Sequence, residues 1–177
     1  EAFLMENFFA PCPRGLEPLL AEDAAAAGGR HVAAVPGGVA FRGGWECGYR
    51  MNLHSRIATR VLWRLVLGGY RSEDDVYRLA RDVDWPRLFG AEQTLRVYVT
   101  AQRSPLKSLE YITLRVKDAV CDRFRDETGR RPSVDTRDPD VRIHLFLTAE
   151  QATLYLDTSG DPLYQRGHKI AKVEAPL

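Results

Sequence analysis

TLRVYVTA at residues 94–101, SLEYITLRVKDAVCDRFRDETG at 108–129 and VRIHLFL at 141–147 decide the fold. In the first stretch Leu95, Val97, Val99 and Ala101 alternate with Arg96, Tyr98 and Thr100. That two-residue period is the mark of a half-buried strand. The third stretch alternates in the same way on Val141, Ile143, Leu145 and Leu147. Between them, Leu109, Ile112, Val116, Ala119, Val120 and Phe124 recur at helical spacing, and Gly129 supplies a stop. The unit is therefore strand, long helix, strand, with the helix covering a sheet.

Working toward the C-terminus, Thr148 to Gln151 reads as a hairpin turn and Ala152 to Asp157 as its return strand. Ser159-Gly160-Asp161-Pro162 closes the unit, and the tail from Tyr164 has no period and reads as a linker. Working toward the N-terminus, Ser72 is an N-cap with Asp74 and Asp75 in the first turn, and the helix runs to about Arg81. Asp84-Trp85-Pro86 reads as its breaker, and Gly68-Gly69 as a boundary between units. Before that boundary the order is a strand at Phe8 to Ala10, a helix at Gly15 to Ala27 and a strand at His31 to Val35. A Pro36-Gly37-Gly38 turn, a strand at Val39 to Arg42 and a helix at Trp45 to Leu53 follow, then a strand within Ile57 to Leu67. This is the β-α-β-β-α-β order of a small ferredoxin-like unit. The fold class is α+β. Expected boundaries are 1–68 for the first unit, 69–162 for the α/β unit and 163–177 for the linker.

Composition fits a globular protein, with 45% hydrophobic and 28% charged residues among 177. No apolar run is long enough to cross a bilayer, so no membrane partner is expected. Three cysteines, Cys12, Cys47 and Cys121, make no C-x-x-C pair. That spacing argues against a disulfide scaffold or structural zinc and for a reducing, cytoplasmic location. The net charge is only +1, but residues 96–142 hold 11 Lys and Arg against 8 Asp and Glu. Any polyanion should meet this middle section first.

Catalytic patterns are missing. The glycine doublets form no dinucleotide or phosphate loop. His31, His54, His144 and His168 are scattered, with His144 on the polar side of its strand. Asp135, Asp138 and Asp140 could mark a metal or acid–base cluster, but a solvated turn bridged by Arg137 is the commoner arrangement. Basic residues carry more information. Arg103 and Lys107 flank a strand-to-helix junction whose amides could grip a phosphate, and Arg130-Arg131 lies at the far end of the same helix. Arg115 and Lys117 flank its apolar stripe. Arg123 lies near the stripe's centre and reads as a packing or ion-pair residue.

Seven blocks then fall in a telling order. They are Phe9-Ala10 with Arg14-Gly15-Leu16-Glu17; Gly37-Gly38-Val39-Ala40-Phe41; Ser55-Arg56-Ile57-Ala58; Arg115-Val116-Lys117-Asp118-Ala119; Arg131-Pro132-Ser133-Val134-Asp135; Pro139-Asp140-Val141-Arg142-Ile143; and Leu156-Asp157-Thr158-Ser159-Gly160-Asp161-Pro162-Leu163 with Arg166-Gly167. In this order the chain resembles the N-terminal half of bacterial large-subunit (23S) ribosomal RNA guanine-N2 methyltransferases, a ferredoxin-like domain followed by a THUMP domain. The resemblance implies a THUMP-type second unit that binds structured RNA and delivers a base to a separate domain using S-adenosylmethionine.

The Asn-Pro-Pro-aromatic motif of such a catalytic domain is not in this chain, whose asparagines are Asn7 and Asn52. The expectation is therefore a non-catalytic RNA-binding module with no cofactor of its own, ending where a methyltransferase domain would begin. Its partners would be large-subunit rRNA and that catalytic domain. The expected RNA contacts are Arg103, Lys107, Arg115, Lys117, Arg130, Arg131, Arg137, Arg142, Arg166 and Lys169. A stand-alone RNA-binding or ribosome-associated adaptor is the alternative. A hydrolase built on Asp135 to Asp140 is a third.

Overall fold

A computed structural model describes residues 5–159. Its described residues form two compact units, residues 5–64 together with 157–159, and Leu65–Leu156.

The first unit has the order β1 (Glu6–Pro11), α1 (Glu17–Ala26), β2 (Arg30–Val35), β3 (Gly38–Gly43), α2 (Trp45–His54) and the start of β4 (Leu62–Gly69). β1 is central. It pairs antiparallel with β3 from Glu6↔Gly43 to Pro11↔Gly38, and with β4 at Phe8↔Trp63. β2 completes the sheet beside β3, with a register shift near His31, whose φ is 51°. Phe8, Ala10, Leu20, Ala24, Val39, Phe41, Met51 and Val61 make the core. The Phe8 and Phe41 rings stack at 5.4 Å. α2 approaches so closely that a Cβ on Gly48 would lie 2.9 Å from Phe8 Cε1.

Side chains tie the loops down. Glu17 accepts hydrogen bonds from the amides of Gly15 and Gly37, binding the start of α1 to the β2–β3 turn. Its own backbone amide, and then those of Gly37 and Gly15, hold the Glu17 carboxyl below its ordinary pKa. Ser55 Oγ accepts from Ile57 and Ala58 and donates to Asp23. Thr158 donates through both its amide and its hydroxyl to the Val61 carbonyl.

The second unit contains α3 (Glu73–Arg81), α4 (Trp85–Leu88), β5 (Thr94–Ala101), α5 (Leu109–Thr128), β6 (Ser133–Val134), β7 (Val141–Leu147) and β8 (Gln151–Asp157). β5 lies between β6 and β7 and is parallel to both; β7 and β8 form an antiparallel hairpin. The inward residues Leu95, Val141, Ile143 and Leu147 are fully buried, as are Ile112, Val116, Ala119 and Val120 of α5. Gly129 ends α5 at φ 73°, the left-handed cap conformation that glycine adopts without strain.

Two sequence expectations need correction. Trp85-Pro86 opens a short helix rather than merely ending one, because proline suits the first helical positions. Trp85 is buried there and its indole N–H donates to Ala80 O at 2.7 Å. Gly68-Gly69 lies inside β4, not in a turn, and a Cβ on Gly68 would sit 2.7 Å from Leu79 Cδ2. Ser133–Val134 is a short strand that the sequence analysis did not anticipate. The linker expected at 163–177 lies outside the described residues.

α3 begins with the expected cap in its full form. Ser72 Oγ accepts from the Asp75 amide, while the Asp75 carboxylate accepts from the amides of Arg71 and Ser72. Ser72→Ala should lower unfolding stability by about 1 kcal/mol in urea titrations. The same bonds, Arg71's first, hold the Asp75 pKa below its ordinary value. Its contribution is thus complete above the unfolded carboxyl pKa and fades as pH falls through the folded one. Asp75→Asn should therefore flatten the acid limb of a stability–pH curve and destabilise the protein at neutral pH.

Candidate nucleic-acid interface

The β5–α5 junction is built to hold one loop conformation. Arg103 has φ 61°, left-handed and uncommon for a side chain of its size. Tyr70, buried itself, reaches the loop: its hydroxyl lies 2.7 Å from Ser104 Oγ and donates to Thr148 O. Ser104 Oγ also accepts from Leu106 N, and Ser108 caps α5 by accepting from Tyr111 N. Arg103 and Lys107 stand exposed on either side of this framework. Neither has an ion-pair partner among the described residues.

The other expected contacts divide. Arg130 and Arg131 are exposed at the C-terminal end of α5. With 20 residues in the helix, the two ends are about 30 Å apart. Arg137 lies in the loop before β7, and Arg142 sits half-buried on β7. Arg115 and Lys117, between the two ends, are engaged inside the unit. Arg115 bonds Asp74 at 2.9 Å and lies over the Tyr77 ring at 4.2 Å; Lys117 contacts Asp118 at 2.6 Å. Among the described residues, those proposed from sequence thus divide into exposed pairs at the two ends of α5 and the engaged Arg115 and Lys117 between them. Arg166 and Lys169 lie outside the described residues.

Arg123 meets the ion-pair reading: it bonds Glu127 at 2.5 Å and the Arg81 carbonyl at 3.1 Å. α3 and α5 are laced further by Tyr77 to Asp122 and by Arg81 to Asp126. The Asp122 carboxylate raises the Tyr77 hydroxyl pKa. These carboxylates neutralise the helical side of the unit.

The acidic loop is a backbone device. Asp135 accepts from the amides of Arg137 and Asp138, which lowers its pKa, and Asp140 accepts from Thr94 N and Oγ. Arg137 contributes its main chain here, not the side-chain bridge the sequence suggested. No group of three or more His, Cys, Asp or Glu side chains is placed to hold a metal ion among the described residues. Cys12, Cys47 and Cys121 are free and buried, and burial raises the pKa of each thiol.

The sequence reading missed Arg96, Tyr98 and the role of His144. Arg96 packs over the Tyr98 ring at 4.5 Å and donates to Thr136 O. Tyr98 stacks on His144 at 4.8 Å with an interplanar angle of 12°. The alternation of β5 and β7 places all three on the outward face, but only register reveals that they are neighbours.

Residues 70–157 match the THUMP domain model, and residues 7–62 match the RlmL ferredoxin-like domain model. The chain therefore carries a THUMP domain and, ahead of it, a ferredoxin-like domain of the RlmL type. It is 42% identical to the ribosomal RNA large subunit methyltransferase K/L of Syntrophotalea carbinolica, over 97% of this chain and 24% of that protein. It is 39% identical to the protein of the same name from Methylococcus capsulatus, over 98% of this chain and 24% of that one. The chain thus spans about a quarter of the length of these relatives. A solved Listeria monocytogenes structure, named as a predicted N6-adenine-specific DNA methylase, shares the fold. Its TM-score is 0.76 at 23% identity, covering 98% of this chain and 45% of that one. No helix among the described residues is long and apolar enough to cross a membrane.

Within the THUMP domain, Arg115 is held by Asp74 and by the Tyr77 ring. Arg115→Met should cost about 1 kcal/mol of stability, through loss of the Tyr77 and Asp74 contacts. RNA affinity, read by fluorescence anisotropy at a temperature where the variant is folded, should not change.

Proposed function

We infer that this chain is the RNA-positioning part of a large-subunit ribosomal RNA methyltransferase. It would bind structured rRNA and present a guanine to an S-adenosylmethionine-dependent domain that acts on N2. The observation that carries this reading is the match to both domains, in order, together with relatives named as ribosomal RNA large subunit methyltransferases. The proposed limits are 1–68 for the ferredoxin-like domain, 69–162 for THUMP and 163–177 for the link to the catalytic domain. The site of action would be the cytoplasm, where the ribosome is assembled. S-adenosylmethionine would bind the catalytic domain, and this chain would supply no reacting group.

The geometry supports a folded RNA ligand. Arg103 and Lys107 at one end of α5, and Arg130 and Arg131 at the other, are too far apart to share one phosphate. Each pair offers exposed cationic donors, and arginine can engage a phosphate by two parallel hydrogen bonds. A ligand touching both must bring separate phosphates to set positions, which a helix or hairpin does and an isolated nucleotide cannot. Such contacts set orientation and affinity and leave base choice to the catalytic pocket. Tethering the two modules raises the local concentration of the target base.

A labelled hairpin from large-subunit rRNA should bind this chain weakly, with log affinity falling linearly against log salt. Reversing the charge at Arg103, Lys107, Arg130 and Arg131 together should weaken binding by at least about 100-fold at low salt and leave thermal unfolding unchanged. Equal affinity for the hairpin and for a neutral polymer would defeat the RNA reading. Reading the gene beyond Leu177 separates this role from a free-standing adaptor, because only the former requires a methyltransferase domain there.

A further inference from the structure

The β2–β3 hairpin of the first unit carries a pair of cations on the side of the sheet away from its helices. Phe8, Ala10, Val39 and Phe41 are buried in one core with Leu20, Ala24 and Met51 of α1 and α2. Alternation therefore turns Asn7, Phe9, Ala40 and Arg42 the other way. Arg42 has Arg30 as its register partner on β2 and Asn7 as its partner on β1. The residue before Arg30 fixes its direction: a Cβ on Gly29 would point inward, 2.7 Å from the Ala24 carbonyl oxygen and 3.4 Å from the Phe41 ring. Arg30 and Arg42 are both exposed. Like charges directly opposed on neighbouring strands destabilise a sheet. A charge on β2 guards a free edge, but β3 is an inner strand with no edge to guard.

The carboxylates of this unit are placed elsewhere. The outward row beside the pair is Ala33, Ala40 and Phe9, and the next is Val35, Gly38 and Pro11. None is acidic. Glu6, two residues before Phe8, points inward and accepts from Trp63 Nε1. Glu17 is engaged at the opposite end of the hairpin by the Gly37 amide. On the helix side, Asp23 accepts from Ser55, Glu46 pairs with Arg50, and Glu22 stands on α1. Asp157 falls beside Leu62, because Thr158 donates to the Val61 carbonyl, and so lies three strands from Arg42; it accepts from Ser159 N and Oγ. Neither the Arg30 nor the Arg42 side chain has a hydrogen bond or ion pair among the described residues.

We propose that Arg30 and Arg42 grip a backbone phosphate of single-stranded RNA laid across the outward face of the ferredoxin-like domain. The inference rests on the RNA-binding reading above and adds a contact surface in the other domain. One phosphate between the two guanidinium groups supplies negative charge to the pair and accepts from both. Asn7, next in the same row, brings an amide that donates to or accepts from a base or ribose. The surface beside the pair selects a single strand. Ala33, Ala40, Val35 and Pro11 are small and apolar, and Ala33 and Val35 are exposed. Phe9 packs over Gly38, where a Cβ would lie 2.5 Å from Phe9 Cζ. A duplex keeps its bases inside and offers such a surface only sugar and charge, whereas an unpaired base lies against it.

The test uses the whole chain and two labelled probes, a short oligouridylate and the rRNA hairpin, with anisotropy read over a range of salt. Arg30→Gln with Arg42→Gln should weaken oligouridylate binding about tenfold at low salt and make the log–log salt slope shallower by about 0.7, the share of one single-strand phosphate. Arg42→Gln alone should lose about threefold. Arg50→Gln removes a cation from the helix side of the same unit and should leave the affinity unchanged. Losing the repulsion between Arg30 and Arg42 should leave the melting temperature of the RNA-free chain unchanged or higher.

Equal losses in Arg42→Gln and Arg50→Gln mean that the oligouridylate senses net charge alone, and the grip is overturned. Undiminished oligouridylate binding in the double variant, or none in an unaltered chain that binds the hairpin, overturns it too and leaves the RNA reading intact. Failure of the unaltered chain to bind either probe removes both. Should the double variant lose affinity for polyglutamate but not for RNA, the face docks an acidic protein and the grip is again overturned.

Discussion

The second unit depends on α5 lying against β5 between two parallel strands. The apolar stripe of Ile112, Val116, Ala119, Val120 and Phe124 is fully buried, as are Leu95, Ile143 and Leu147 on the strands. At about 1.5–3 kcal/mol for each fully buried large apolar side chain, this seam outweighs any single surface contact in the unit. Everything charged must fit around it. Helices α3 and α5 can approach only with their outer charges paired, so carboxylates from Asp74 to Glu127 are spent on arginines and lysines of the same layer. The cations left over are those the seam pushes to its margins: the two ends of α5 and the far face of the sheet.

This sorting explains why net charge says little here. A chain with a formal charge of +1 has almost no global field with which to steer a polyanion. It does have arginines without carboxylate partners, in places set by rigid backbone. The β5–α5 junction is the clearest case. Tyr70 is buried, and its hydroxyl joins Ser104 to the β7–β8 turn at Thr148. The adjacent Arg103 takes a left-handed backbone conformation, which costs energy for a non-glycine residue and persists because its surroundings fix it.

Much of this fold could be read from residue order because its elements obey simple periods. β5 and β7 alternate over their full length, and α5 carries one stripe with a serine before it and a glycine after it. The blocks that mark the family are legible for a different reason: they hold loops. Glu17 and Gly37 are joined by a hydrogen bond across a gap of 20 residues, and Ser55 organises the turn into which Ile57 and Ala58 pack. What escaped notice depends on three-dimensional register. Pro86 looks like a breaker until Trp85 is seen buried beneath α3. Gly68 looks like a turn residue until Leu79 is found against it. Arg115 looks like a free cation on a wheel, because Asp74 and Tyr77 are some forty positions earlier. Arg96 and Arg142 are separated by a whole helix and become neighbours only when β5 and β7 pair.

The same reasoning bears on how a chain of this kind can divide its work. A sheet covered by helices on one side has one face whose composition is decided by packing and one that is not. On the packed face, substituting a charge would bury it without a partner, so that face is fixed by stability. On the outward face, Arg96 lies abreast of Arg142 and is held by the Tyr98 ring and the Thr136 carbonyl, so polar contacts rather than burial fix its place.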